Sequence, residues 1–417
     1  VKILTVVQDL GIGGTQRVAQ NVSLGMQARG HSVSVLAHRA SGPRSITLAK
    51  HGVPVFDAEH DGLISALSAA AAWCPDVVHI HREGYANVKE SQILETLKRK
   101  GTRVVETNVF ARFDRGPGGR LIDAHCLLSK WCAHKWFSWG GKAALSKNAY
   151  VVPNAVDPEA FAPVSQATYQ RVRRELSVPS DRFIFGRVGQ PSSPKWSPTI
   201  FSALGKVLES GLDAGLILVG APNEYHGFLE RESDAVRERT QILPAVNGDH
   251  RLNELMGSFD AFLHASQIGE SFGMVLCEAL QAGLPIVTLS TPLKDNSQLE
   301  IVSHGRFGVV ALQEKYLPAA MLSVVSDKKL RDNVRSNGAA YVSEQFGIQL
   351  VCERFERIYL GNEGEGLTRE DYRDFVSEIA NVGLGLPRSA LDRIKFAAIH
   401  NPNIYSAYLE ARRILAK

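Results

Sequence analysis

Residues 2–36 open with Lys2-Ile-Leu-Thr-Val-Val7 and a glycine-rich loop, Gly11-Ile-Gly13-Gly14. A stretch from about Thr15 follows, stopping at Arg29-Gly30-His31, and then Ser32-Val-Ser-Val-Leu36. The two apolar runs predict strands and the segment between them a helix, with Thr15 as its N-cap and Gly30 as a left-handed C-cap. Strand, glycine loop, helix and strand in that order form a βαβ unit.

The same rhythm continues outward. Short apolar runs at Asp76–Ile80, Arg103–Thr107, His125–Leu128 and Ala149–Val152 alternate with helical stretches, so the first part of the chain reads as a doubly wound α/β domain. Val152 to Pro163 carries three prolines and predicts a linker. A second series follows, with strands expected at Arg182–Val188, Gly215–Val219, Gln241–Leu243, Ala261–Leu263 and Pro285–Thr288. Helices are expected from about Ser326 onward. The expected layout is an α/β chain with domains at 1–163 and 164–345, a helix at 346–360 and a helical extension at 361–417, hinged at Asn362-Glu-Gly-Glu-Gly366.

Bulk composition narrows the class of protein. A chain of 417 residues with 44% hydrophobic and 22% charged residues fits a two-domain globular protein. The net charge of +4 does not point to nucleic acid. No apolar run reaches the length of a membrane span, and the first residues read as a strand and not as a signal peptide. Cys74, Cys126, Cys132, Cys277 and Cys352 are scattered without a Cys-x-x-Cys pair, which suits a reducing, cytoplasmic setting and speaks against structural zinc.

The most chemically informative stretch is Glu270-Ser-Phe-Gly-Met-Val-Leu-Cys-Glu278. Phe272-Gly273 stands where a loop enters an apolar helix beginning near Met274 and Val275. The free N–H groups and dipole of a helix's first turn suit a phosphate. Carboxylates eight residues apart bracket that turn and can accept hydrogen bonds from hydroxyls on either side of a diphosphate. Such a molecule is a nucleotide sugar. If both carboxylates lay on a helix they would span about 12 Å, beyond the roughly 5–9.5 Å of a glycosidase pair.

In order along the chain, Gly13-Gly14-Thr-Gln-Arg-Val, Pro75-Asp-Val-Val-His-Ile-His81, Val152-Pro-Asn-Ala-Val-Asp157, Gly186-Arg-Val with Lys195, and the Glu270/Glu278 block resemble the retaining, glycogen-synthase-like glycosyltransferases of GT-B architecture, also called glycosyltransferase family 4 or glycosyl transferases group 1. The resemblance covers residues 1 to about 360. It implies two facing Rossmann-like domains with the active site in their cleft, an acceptor domain first, a nucleotide-sugar domain second, and a helix crossing back to the first. It also implies a metal-independent, retaining transfer of a hexose from a UDP- or GDP-sugar to a hydroxyl acceptor. The nucleotide sugar is then a substrate; no cofactor and no metal are expected.

The resemblance assigns Glu270 to hydroxyls of the transferred sugar and Glu278 to the ribose, and it makes Arg187 and Lys195 the clamps on the diphosphate. Phe272, Gly273, Met274 and Val275 shape the helix entry. Gly13 and Gly14 let the first-domain loop approach the donor phosphate or the acceptor. Asn108, in Glu106-Thr-Asn108-Val-Phe-Ala-Arg112, stands where many relatives carry a histidine. Asn cannot exchange a proton near neutral pH, so Asn108 is expected to position the sugar, and the departing phosphate oxygen to take the acceptor's proton. A nucleotide-sugar-binding regulatory protein, or a phosphorylase or epimerase of the same fold, is the alternative reading. His79 and His81 are expected to be packed or loop histidines.

Residues 129–147 mix Trp131, Trp136, Phe137 and Trp139 with Lys130, His134, Lys135, Lys142 and Lys147, and no acid occurs between Asp123 and Asp157. That mixture fits peripheral contact with an anionic membrane, hence the inner face of the cytoplasmic membrane and a carbohydrate or lipid-linked acceptor, as in bacterial surface-glycan or glycolipid assembly. The other reading puts the aromatics in the core and the lysines in solvent. The oligomeric state is left open.

Overall fold

The computed structural model describes residues 1–374 except 247, 293, 363, 365 and 372. It divides into two compact units. The first is Val1–Val156 and resumes at Phe346; the second is Asp157–Gln345.

The first unit holds β1 (Lys2–Val7), β2 (Ser32–Ala37), β3 (Val55–Asp57), β4 (Val77–Arg82), β5 (Arg103–Asn108), β6 (Ala124–Leu127) and β7 (Ala149–Val151). Their order in the sheet is β3-β2-β1-β4-β5-β6-β7, and every pairing is parallel. The second unit holds β8 (Phe183–Val188), β9 (Ala214–Val219), β10 (Thr240–Leu243), β11 (Ala261–His264), β12 (Ile286–Leu289) and β13 (Gly308–Ala311). Their order is β10-β9-β8-β11-β12-β13, again all parallel. Strands such as Ala214–Val219 are buried at every position because helices cover both faces of a parallel sheet. In each unit the strand order reverses once, between β1 and β4 and between β8 and β11. Ligands of open α/β sheets bind beyond the strand C-termini at such a reversal.

β3 and β13 were not expected as strands; their pairing with β2 and β12 makes them so. Thr15 is not an N-cap: the helix runs Gly14–Ala28 with Gly13 at the cap and no side chain bonding to it. Gly30 does adopt a positive φ of 88° just beyond that helix.

The first change of unit falls within the proline stretch, ahead of Pro163, and has a physical cause. Val156 donates to Phe346 O (2.8 Å) and accepts from Ile348 N (3.1 Å), so the outgoing and returning segments form one bridge. Phe161, by contrast, is buried, and Ala162 N donates to Asn253 of the second unit. The returning helix, Ile348–Leu360, packs on the first unit. Glu356 meets Arg29 and, at 2.8 Å, His31 Nε2; the Tyr359 hydroxyl meets His79 Nδ1 at 2.6 Å. The extension expected over 361–417 lies for the most part outside the described residues.

Candidate active site

In the second unit, the reversal between β8 and β11 gathers the expected residues. Arg187 is the penultimate residue of β8 and is buried, 2% exposed. Gly186 before it is required by packing: a Cβ there would lie 1.8 Å from the Phe259 ring. The Arg187 guanidinium lies 5.1 Å from the centroid of Trp196 and 5.9 Å from that of Phe262. Nη2 donates to the Lys195 backbone oxygen at 2.8 Å. Nε and Nη1 are buried without a hydrogen-bond partner among the described residues. Burial lowers the guanidinium pKa to about 10, against the opposing pull of Glu270 and then Tyr225. Buried cationic donors of this kind are costly unless an anion meets them.

The stretch after β8, Gly189-Gln-Pro-Ser-Ser-Pro194, folds into a compact loop before Lys195. Ser193–Lys195 is a turn of 3-10 helix. The fully buried Trp196 donates from Nε1 to Gln190 O at 2.8 Å, and Gln267 N donates to Pro194 O at 3.1 Å. The loop is thereby tied to the segment carrying Glu270, and the charge of Lys195 acts on both Glu270 and His264.

Glu270 is held twice. Its backbone N–H donates to Gln298 Oε1 at 3.0 Å, and its carbonyl accepts from Ser297 N at 3.0 Å. Gln298 is itself fixed by donating to Leu289 O and Thr291 Oγ1. The Glu270 carboxylate, 13% exposed, takes a 3.1 Å hydrogen bond at Oε1 from His264 Nε2. Burial raises its pKa, but the His264 bond and the charges of Lys195 and Arg187 override this and hold it at about 2. Glu270 is therefore an anion at any physiological pH, an acceptor and not an acid.

Gly273 caps the helix Met274–Gln281 in the left-handed region, at φ 106° and ψ 63°. A side chain there would be strained and would sit 2.9 Å from Leu276 Cδ1. Met274 and Val275, in the first turn, are partly exposed, whereas Phe272 and Glu278 are buried. Glu278 is therefore no solvent-facing surface residue.

Gly13, Gly14 and Asn108 belong to the first unit. Gly13 has an ordinary φ of −70°, so the loop does not need glycine there for its backbone conformation. Asn108, 1% exposed, spends its amide locally. Nδ2 donates to Arg112 O (2.7 Å) and Glu106 Oε2 (3.3 Å), and Oδ1 accepts from Arg112 N (3.1 Å). The side chain thus holds the turn 108–112, in which Ala111 has a φ of 51°. Below it, Glu106 meets His125 at 2.6 Å and Arg82 at 3.4 Å, and Arg82 also meets Glu90 and Asp114. His79 is packed as expected, between Thr107 Oγ1 at 2.8 Å and Tyr359.

The aromatics of 129–147 sit inside. Trp131, Trp136, Phe137 and Trp139 are all buried, as are His134 and Lys135. They are unavailable to a membrane interface, so the aromatic half of that expectation is corrected. No helix among the described residues is long and apolar enough to cross a membrane. Among those residues no group of three or more His, Cys, Asp or Glu could hold a metal. The residue the sequence reading missed is His264. Its signal was a polar residue closing the apolar strand Ala261-Phe-Leu-His264 beside the sheet's reversal.

Two doubly wound units, each built on an all-parallel sheet, with a helix returning to the first, are the elements of the GT-B architecture. Residues 169–341 match the family model described as Glycosyl transferases group 1. The chain is 25% identical over 371 residues to a phosphatidyl-myo-inositol mannosyltransferase of Mycobacterium leprae (strain TN), covering 83% of this chain and 92% of the relative. It is 24% identical over 385 residues to the protein of that name from Mycobacterium tuberculosis (strain ATCC 25618 / H37Rv), covering 85% and 94%. Among solved structures, a glycosyltransferase from Rickettsia africae ESF-5 superposes with a TM-score of 0.70 at 14% identity, covering 87% of this chain and 98% of that one. Anabaena Alr3699/HepE in complex with UDP-glucose superposes with a TM-score of 0.66 at 18% identity, covering 86% and 99%. These two likenesses establish the fold.

Proposed function

We propose that this glycosyltransferase moves a hexose from a UDP- or GDP-sugar to a hydroxyl acceptor, with retention at the sugar carbon and without a metal. The observation that carries the reading is the buried Arg187 guanidinium, with Nε and Nη1 unpartnered among the described residues, beside an ionised Glu270. In this reading Arg187, Lys195 and the first-turn N–H groups of Met274 and Val275 hold the diphosphate. Charge builds on that leaving group as the glycosidic bond breaks, and donors fixed in a dry site stabilise it most at that stage. Glu270 accepts from the sugar's hydroxyls and Glu278 from the ribose. The departing phosphate oxygen takes the acceptor's proton on the same face. Gly13 and Gly14 let their loop approach the donor phosphate or the acceptor, and Asn108 serves by holding its loop.

The mycobacterial relatives are named for transfer to phosphatidyl-myo-inositol, which supports a lipid-linked polyol as acceptor. The enzyme would then work peripherally at the inner face of the cytoplasmic membrane, through surfaces other than the buried tryptophans. A thermal-shift and turnover screen over UDP-, GDP- and ADP-sugars tests the donor. Anomeric analysis of the product tests retention, and an inverted product would overturn it. Salt-reversible pelleting with anionic but not neutral vesicles tests the membrane contact.

A further inference from the structure

His264 closes β11 and pairs in register with Thr288 of β12. Both side chains are fully buried. The imidazole stands between two oxygens: Nδ1 is 3.0 Å from Thr288 Oγ1 and Nε2 is 3.1 Å from Glu270 Oε1. An ionised carboxylate only accepts, so Nε2 carries a hydrogen and donates it. A neutral ring then has Nδ1 free to accept, and the Thr288 hydroxyl donates to it. The ring is kept neutral by burial and then by the charge of Arg187, which bring its pKa down to about 4. The chain of bonds therefore runs one way, from Thr288 through His264 to Glu270.

We infer that His264, its tautomer set by Thr288, is a positioning residue that pins Glu270 by Oε1 so that Oε2 meets a hydroxyl of the transferred sugar. Oε2 has no hydrogen-bond partner among the described residues, whereas Oε1 is taken. Gln298 holds only the backbone of Glu270 and leaves its side-chain torsions free. Two cations, Lys195 and Arg187, act on the same carboxylate. Without His264 it would swing toward them, compete with the diphosphate and lose its hold on the sugar. Reactive geometry tolerates only about 0.5 Å of such drift.

The inference rests on the proposed reading of Glu270 as a sugar contact, and the experiment separates the two. His264→Leu, His264→Gln and Thr288→Val are compared with wild type for kcat, donor KM and Tm. His264→Leu should lower kcat about tenfold or more with donor KM changed less than about threefold, because the diphosphate groups stay in place. His264→Gln, whose amide nitrogen can take the place of Nε2, should recover most of kcat; Thr288→Val should fall between. Unchanged kcat in His264→Leu overturns the inference. So does a Gln variant as slow as the Leu variant with equal Tm loss, which would make the histidine merely a packing residue. If wild type turns over no donor, the functional reading fails on its own. The contact is still read by a double-mutant cycle on Tm. The loss caused by His264→Leu should shrink by half or more in a Glu270→Ala background, and an undiminished loss overturns the positioning role.

Discussion

Arg187 donates through Nη2 to the backbone oxygen of Lys195 at 2.8 Å. One cationic side chain thus fixes the peptide of the residue expected to be its partner cation. This bond and the one from Trp196 Nε1 to Gln190 O tie down the loop from Gly189 to Pro194. They leave two further donors of the same guanidinium unsatisfied among the described residues.

Arg187→Met should weaken nucleoside diphosphate binding about ten- to hundredfold, the worth of one charge-assisted hydrogen bond at roughly 1.5–3 kcal/mol. Its Tm should hold or rise, because a buried, half-satisfied charge is replaced by an apolar chain of similar length. Calorimetric titration with the nucleoside diphosphate that wild type binds, and a melting curve, check both. An unchanged Kd would remove Arg187 from the site.

Glu270→Gln should mainly lower kcat, since its partner is the sugar at the reacting end. Glu278→Gln should mainly raise donor KM, because ribose contacts are alike in ground and transition states. Steady-state kinetics on the two variants decide this, and indistinguishable defects would end the division of labour.

Acidification should destabilise the protein through its buried histidines. His38 and His81 in the first unit and His264 in the second are held at about 4, 3 and 4, with burial the first cause of each. Unfolded, each takes a proton near pH 6.5 that the folded chain refuses until about pH 3–4. Their stabilising effect is therefore complete above pH 6.5 and is lost as pH falls through that window. His81 has no hydrogen-bond partner at either ring nitrogen among the described residues. Replacing it, His81→Phe, should flatten the pH dependence of unfolding by up to about 1.4 kcal/mol per pH unit, one proton's worth. Urea unfolding at pH 7, 6 and 5 measures the slope, and parallel slopes for the two proteins refute the assignment.

Asn108→His should not create a proton-transfer group. A Cβ on Gly84 would already lie 2.4 Å from Asn108 Oδ1, so a larger ring has no room. The variant also loses the bonds to Arg112. Tm should fall by several degrees, consistent with roughly 1–3 kcal/mol for unmet buried groups, and kcat should not rise. A variant as stable as wild type with a new alkaline or acidic limb in its pH–rate profile would restore this position to the chemistry.

Much of this was legible beforehand because it is local. The apolar runs of β1, β2, β4 and β8 and the glycine loop between β1 and β2 carry their signal within a few residues, and βαβ units combine in few ways. Glu270, Phe272-Gly273 and Glu278 were readable for the same reason, since a loop entering a helix has a short signature. β3 and β13 were not, because pairing rather than composition makes them strands. Thr15 misled because the helix starts at Gly14, one residue before it.

The sequence by itself determined two doubly wound α/β units, the returning helix, and a loop-to-helix entry at Phe272-Gly273 with Glu270 before it and Glu278 within the helix. Only the tertiary structure decided what those groups are. It buried the tryptophans of 129–147 that composition had offered to a membrane, and turned Asn108 inward to its own loop. It also set His264 between Thr288 and Glu270. Each of these depends on partners brought together by the sheet or the turn, and a side chain's hydrogen bonds and burial are fixed by what the fold places against it, which spacing along the chain does not encode.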